Sequence, residues 1–188
     1  MIKIIFCILG PSGAGKSTIA KEVSKRLNIE IVVSYTSRPI RPNEVDGVDY
    51  HFVDNQHFED NIDDFIEMRE YQVYDGSIWK YGFKESSFEE DIDYLVVIET
   101  DGYNAFKRRF GEWALYPFLI ESPVEDLYAR TSKRGDNPQE IIRRIEDDIK
   151  KFENFAENEK CDIIMNCFNL EFAINLMTRK IRRMRNEI

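Results

Sequence analysis

Gly10, Gly15, Lys16 and Ser17 have the types and spacing to hold a triphosphate, fitting G-x-x-x-x-G-K-[ST] within GPSGAGKST at residues 10–18. Glycine lets a backbone approach a ligand closely and turn its N–H groups inward. Gly10, Ser12, Gly13, Ala14 and Gly15 are therefore the expected lining of an anion cradle. Lys16 can reach the outer phosphates, and Ser17 and Thr18 stand at the mouth of a helix, where negative charge is favoured. The Ser17 hydroxyl is the expected holder of Mg²⁺. Such a cradle needs a strand before it and a helix behind it. IKIIFCIL supplies an apolar run in front, and Ile19, Ala20, Val23 and Leu27 recur at helical spacing, which predicts an amphipathic helix over 16–27.

A second group of polar residues lies in SYTSRPIRPNEVDGVDYHF, residues 34–52. Arg38 and Arg41 sit in a proline-pinned extended segment, and planar guanidinium forks can grip a dianionic phosphate bidentately. Ser34 and Tyr50 can add hydroxyl donors. Transfer between two phosphates needs positioning and charge neutralisation more than covalent chemistry, so no nucleophilic Ser, Cys or His is required.

Composition narrows the classes. A formal net charge of −9 argues against a general nucleic-acid binder, because affinity for a phosphate backbone comes from many neutralising Lys and Arg. Positive charge is instead local, at Arg38 and Arg41, at Arg130, Lys133 and Arg134, and at Arg143 and Arg144. Cys7, Cys161 and Cys167 form an odd set that reads as reduced structural thiols. His51 and His57 lack neighbours at zinc-ligand spacing. The opening residues stay apolar for only about eight positions before the phosphate loop, too short for a secretory signal or a membrane span, so a cytoplasmic protein is expected.

The remaining elements must position these groups. EIVVSY, from Glu30, reads as a second strand, and the breaker-rich stretch after it as an insertion. Asp54 through Met68 suits a short surface helix, and REYQVYDGSIWKYGF a hairpin around Asp75-Gly76. YLVVIE from Tyr94 reads as a buried parallel strand, followed by a helix over about 102–110. Pro117 marks the expected start of a fourth strand. Ser122-Pro123-Val124-Glu125 has the form of a capping box, and Asn137-Pro138-Gln139-Glu140 repeats it before a long helix. Between them, TSKRGDN has the composition of a mobile loop. CDIIMNC is the fifth strand, and Asn169 can cap a last helix. This alternation predicts an α/β protein with a five-stranded, mainly parallel sheet flanked by helices. The expected division is a core of 1–33, 85–130 and 151–188, an insertion at 34–84 and a lid at 131–150.

The run S-x-T-[TS]-R-x-x-R-x-x-E-x-x-G-x-x-Y, beginning at Ser34, resembles that of the guanylate kinase family of P-loop nucleoside monophosphate kinases. GPSGAGKST and the L-x-x-R-x-x-x-R-G of Leu127, Arg130, Arg134 and Gly135 extend the resemblance over essentially the whole chain. It implies a P-loop kinase fold, ATP as donor with Mg²⁺, and GMP or dGMP as acceptor. It further implies that Ser34, Arg38, Arg41, Tyr50 and Tyr81 bind the acceptor phosphate. Guanine presents N1–H and N2–H₂ side by side, which one carboxylate can accept; the resemblance gives that role to Glu67, with Glu70 as a competitor. Lys16, Arg134 and Arg144 would act on the transferring group, with Arg130 and Arg143 as substitutes. Arg130 and Asn166 would lie near the ATP, and Glu99 would serve the substrate and, through water, Mg²⁺.

Two positions depart from the family pattern. Val97 stands in place of a second acid, and Phe83 follows Tyr81-Gly82 where a small hydroxyl residue usually helps read guanine. Together with a Glu67-to-Tyr81 spacing longer than that of the family, they leave open another phosphorylated acceptor, such as a different nucleotide or a sugar phosphate. A binding module that uses the Arg38/Arg41 groove for phosphorylated protein segments is a further alternative, against which the intact Lys16 and Ser17 weigh. Expected partners are small-molecule nucleotides, with neither nucleic acid nor membrane, for a monomer or homodimer.

Overall fold

The computed structural model describes residues 4–72, 76–133, 138–167 and 169–186. Its centre is β1 (Ile5–Leu9), five apolar residues that are all buried. Side chains alternate across a strand, so Phe6 and Ile8 enter one apolar cluster and Ile5, Cys7 and Leu9 another. A strand covered on both faces needs an unbroken apolar run, which is what the sequence supplies. Burial also pushes the Cys7 thiol well above its ordinary range, consistent with an inert structural cysteine.

Around it lie β2 (Glu30–Ile31), β7 (Tyr94–Val97), β8 (Leu115–Glu121) and β9 (Asp162–Met165), in the order β2-β7-β1-β8-β9. Every pairing in this sheet is parallel. Helices α1 (Lys16–Leu27) and α6 (Leu170–Asn186) pack over the Phe6 and Ile8 face, contributing Ile19, Val23, Ile174, Met177 and Ile181. Helix α3 (Thr100–Phe110) covers the other face with Tyr103 and Phe106, joined by Phe152 and Phe155 of α5 (Pro138–Asn158). Helix α4 (Val124–Ser132) follows β8. Parallel strands all end on one side of the sheet, so the segments after β1, β7 and β9 come together there.

A second sheet, of order β4-β3-β6-β5, is built from β3 (Tyr35–Thr36), β4 (His51–Phe52), β5 (Phe65–Gln72) and β6 (Ile78–Lys84). It corrects the expected helix through Met68. Helix α2 (Asn55–Asp60) stops early, a 3₁₀ turn follows at Ile62–Asp64, and the chain enters β5 at Phe65. From Glu67 to Gln72 burial alternates residue by residue, the period of a strand with one face covered. β5 and β6 do form the expected antiparallel hairpin, with Arg69 opposite Tyr81. Asp75 of its turn lies outside the described residues.

Other boundaries shift for local reasons. β2 is only Glu30–Ile31, because after Val32 donates to the Leu95 carbonyl the chain departs for the second sheet. β8 begins at Leu115, not Pro117; the ladder to β9 starts only at Phe118, so the missing proline N–H is tolerated. Ser122 does not cap α4; its hydroxyl donates to the Asn166 carbonyl. Asn169 does cap α6, accepting from the Glu171 N–H at 2.8 Å. Among the described residues no helix is long and apolar enough to cross a membrane.

Candidate active site

The phosphate loop leaves β1 and turns into α1. Gly10 (φ 139°) passes so close to β8 that a Cβ would stand 2.3 Å from the Ile120 carbonyl oxygen, which only glycine avoids. Gly15 is left-handed (φ 92°) immediately before α1. Lys16 curls over the loop, its Nζ donating to the carbonyls of Gly10 at 2.6 Å and Pro11 at 2.9 Å. The loop is braced from behind. Asn166 donates to the Ala14 carbonyl at 2.8 Å, and Arg130 spans Asp126, Ser122 and the Gly13 carbonyl. Neither Arg130 nor Asn166 lines the cleft in front of the loop.

That cleft, about 560 Å³ in volume, is lined on one side by Ser12, Gly13, Gly15, Lys16, Ser17 and Thr18 and on the other by Ser34, Arg38, Arg41, Tyr50 and Tyr81. Arg38 is only 3% exposed. Its guanidinium lies over the Tyr50 and Phe52 rings and donates to the Pro39 carbonyl and, at 2.8 Å, to Glu44 Oε1. The other Glu44 oxygen accepts from the Arg41 N–H at 2.8 Å, so one carboxylate sets both arginines. Burial acts to raise the Glu44 carboxyl, but the bonds from Arg38 and Arg41 bring it below its ordinary value. Tyr50 and Tyr81 meet edge to face, with ring centroids 6.1 Å apart.

At the far end, β5 carries Glu67 and Arg69 on one face. Arg69 stands between two carboxylates, its Nε 3.0 Å from Glu67 Oε2 and its Nη1 2.9 Å from Glu99 Oε2. Glu67 is 6% exposed at the side chain, and Arg69, not Glu67, lines the cleft. Burial pushes its carboxyl up, Glu99 and Asp101 add to this, and Arg69 opposes it. The half-exposed Glu99 moves the other way: burial acts to raise it, and Arg69, Lys151 and Lys16 outweigh that. Glu70 is exposed and faces Lys80 at 3.8 Å. Phe83, directly across from Glu67, is 1% exposed and packs edge-on against Phe106.

Helix α5 reaches both the phosphate loop and the far end of the cleft. Arg143 and Arg144 both donate to the Tyr71 hydroxyl of β5, Arg144 at 2.9 Å and with its guanidinium 4.6 Å from the ring centre. Asp148 accepts from the Ser12 backbone N–H at 2.7 Å, and Lys151 reaches Glu99 and Asp101. Arg134 lies outside the described residues. No motif in the sequence marks Arg69, Tyr71, Asp148 or Lys151. Two signals were available: period 2 places 67, 69 and 71 on one strand face, and helical spacing places 144, 148 and 151 on one helix face.

For Mg²⁺ the donors are hard oxygens, as that ion prefers: the cleft-lining Ser17 hydroxyl and the Glu99 carboxylate, held ionised by its cationic neighbours. Among the described residues no group of three or more His, Cys, Asp or Glu could cage a metal.

A phosphate loop at the carboxyl edge of a parallel sheet, facing an arginine pair across one cleft, defines a P-loop phosphotransferase for a phosphorylated acceptor. The guanylate kinase family model matches residues 3–183, and the chain belongs to that family. It is 34% identical over 185 residues to guanylate kinase of Salinibacter ruber, covering 95% of each chain. To guanylate kinase of Thermotoga maritima it is 33% identical over 192 residues, covering 98% of this chain and 88% of the relative. The crystal structure of guanylate kinase from Anaplasma phagocytophilum shares the fold at a TM-score of 0.72 and 22% identity, over 97% of this chain and 86% of that one.

Proposed function

We propose that the protein transfers the γ-phosphate of ATP to GMP or dGMP, releasing ADP and the guanine diphosphate. The observation that carries this is the single cleft with the phosphate loop on one wall and Arg38, Arg41, Tyr50 and Tyr81 on the other. An oxygen of the acceptor phosphate attacks the γ-phosphorus, and the bond to the bridging β-γ oxygen breaks; atoms and charge balance without a covalent enzyme intermediate.

Each residue then has a defined task. Loop N–H groups and Lys16 bind the donor phosphates, which requires the Lys16 ammonium to leave the Gly10 and Pro11 carbonyls. Arg38 and Arg41, held by Glu44, grip the acceptor phosphate with Ser34, Tyr50 and Tyr81. Arg144 and, outside the described residues, Arg134 neutralise charge on the transferring group, with Arg143 as neighbour. Arg130 and Asn166 keep the loop in shape behind the ATP. Ser17 and, through water, Glu99 would hold Mg²⁺, which when bound offsets charge on the donor phosphates. Glu67 reads the guanine donors. Residues 34–84 and 131–150 would close over a core of 1–33, 85–130 and 151–188 during turnover. The reading includes a cytoplasmic monomer or homodimer whose partners are nucleotides, not nucleic acid or membrane.

The test is ADP release from Mg-ATP with a panel of nucleoside monophosphates and sugar phosphates. Robust release with GMP and dGMP is expected. Faster release with any other acceptor would overturn the guanine assignment, and ATP binding without release on any acceptor would favour a binding module.

A further inference from the structure

The acceptor-base end of the cleft contains a cation that the carboxylate reader alone does not explain. Arg69 follows Glu67 by two residues on β5, shares its face, and sits opposite Tyr81. It lines the cleft, whereas Glu67 does not. The two groups are within ion-pair distance but are not aligned. Arg69 Nε and Glu67 Oε1 are both buried without a hydrogen-bond partner among the described residues. Arg69 Nε still faces the other Glu67 oxygen at 3.0 Å, whereas Oε1 is a buried acceptor whose lack of a partner costs free energy unless a ligand donates to it.

Guanine has the matching edge. It presents the 6-oxo acceptor next to the N1–H and N2–H₂ donors, so a carboxylate and a cationic donor set side by side can pair with the whole row. Phe83 offers no hydrogen bond across from Glu67, being buried against Phe106. We propose that Arg69 is a specificity-determining residue that donates to the 6-oxo group of guanine while Glu67 accepts from the neighbouring N–H groups. This rests on the guanine-monophosphate reading above. The same guanidinium disfavours adenine, whose 6-amino group would set donor against donor. Glu99 keeps Arg69 at the cleft wall when Glu67 turns to the base.

Steady-state kinetics at saturating Mg-ATP test the assignment with three acceptors. GMP is the reference; 6-thio-GMP replaces only the 6-oxygen, with a weak sulfur acceptor; IMP lacks only the 2-amino group. Arg69→Met keeps the length and removes the donors, and Arg69→Lys keeps a cationic donor. The wild type is expected to favour GMP over 6-thio-GMP by about tenfold or more in kcat/KM. Arg69→Met should shrink that ratio about fivefold or more through the KM for GMP, with the GMP-to-IMP ratio and the KM for ATP near wild type. Arg69→Lys should recover part of the ratio and confirm that the site is folded. An unchanged GMP-to-6-thio-GMP ratio in Arg69→Met would overturn the proposal, as would an equal collapse of the IMP ratio, which would make Arg69 a brace for Glu67. A wild type that uses other acceptors but not GMP would instead overturn the acceptor reading itself.

Discussion

The Asp148 carboxylate of α5 accepts a hydrogen bond from the Ser12 backbone N–H of the phosphate loop at 2.7 Å. A protein anion thus occupies a donor suited to a nucleotide phosphate, and it must withdraw when ATP enters. Asp148→Asn removes the charge but keeps the shape. Its affinity for ATP should rise about three- to tenfold, since a like charge near the phosphates is gone. Calorimetric titration measures this, and weaker binding would show that Asp148 supports the loop instead of competing for it.

Lys16 holds the Gly10 and Pro11 carbonyls and adds to the positive field that lowers Glu99, so its loss should bear first on the phosphate site. Lys16→Ala is expected to lower kcat by about 10²–10³-fold, the usual cost of a lost charge-stabilising group in a closed site. A variant that keeps a tenth of the wild-type rate would contradict the role given to this lysine.

Arg38 and Arg41 should separate in stability while agreeing in binding. Each alanine variant should raise the KM for GMP and leave that for ATP near wild type. Arg38→Ala should also destabilise the fold by about 1–3 kcal/mol, because it takes the cationic partner from the mostly buried Glu44 carboxylate and leaves it the Arg41 N–H. Urea unfolding of the two variants decides this. An Arg38→Ala midpoint equal to that of the wild type would mean that the Arg38–Glu44 pair contributes nothing to stability.

The donor half of the site was legible because it is local. β1 is an unbroken apolar run, and the loop after it is fixed by glycines whose replacement would collide with Ile120 or Asn166. The acceptor arginines were legible for the same reason, lying within one short motif together with the Glu44 that orients them. β5 was not. FIEMREYQ mixes apolar and charged residues in a way that suits a helix or a strand, and its pairing with β6, beginning six residues after its end, decides the matter. Ending a helix at Met68 and beginning the hairpin at Arg69 separated Glu67 from Arg69 and Tyr71, with which it shares a face. Asp148 and Lys151 were hidden differently: nothing in a helical pattern says which distant loop its polar face will meet.

The raised Glu67 carboxyl gives a pH signature. Guanine needs the ionised form, so the KM for GMP should climb as pH falls through the folded value, which lies above the ordinary 4.5. The stability sign is opposite to that of a salt-bridged acid. Because the folded pKa exceeds the unfolded one, the unfolded state binds fewer protons and stability falls as pH rises through that window. Glu67→Gln should therefore flatten the acid limb of the KM profile, weaken GMP use, leave ATP binding intact, and unfold at a slightly higher temperature at pH 8 than the wild type. An unchanged KM profile would move the base-reading role elsewhere.

One competition experiment bears most directly on the two-substrate cleft. GMP, AMP, CMP and UMP are supplied together at equal concentration with limiting γ-labelled ATP and Mg²⁺, and the labelled diphosphates are separated. Nearly all the label should appear in GDP, and Lys16→Ala should transfer it about 10²–10³-fold more slowly. Label spread evenly over the four diphosphates, or concentrated in one other than GDP, would contradict the assignment.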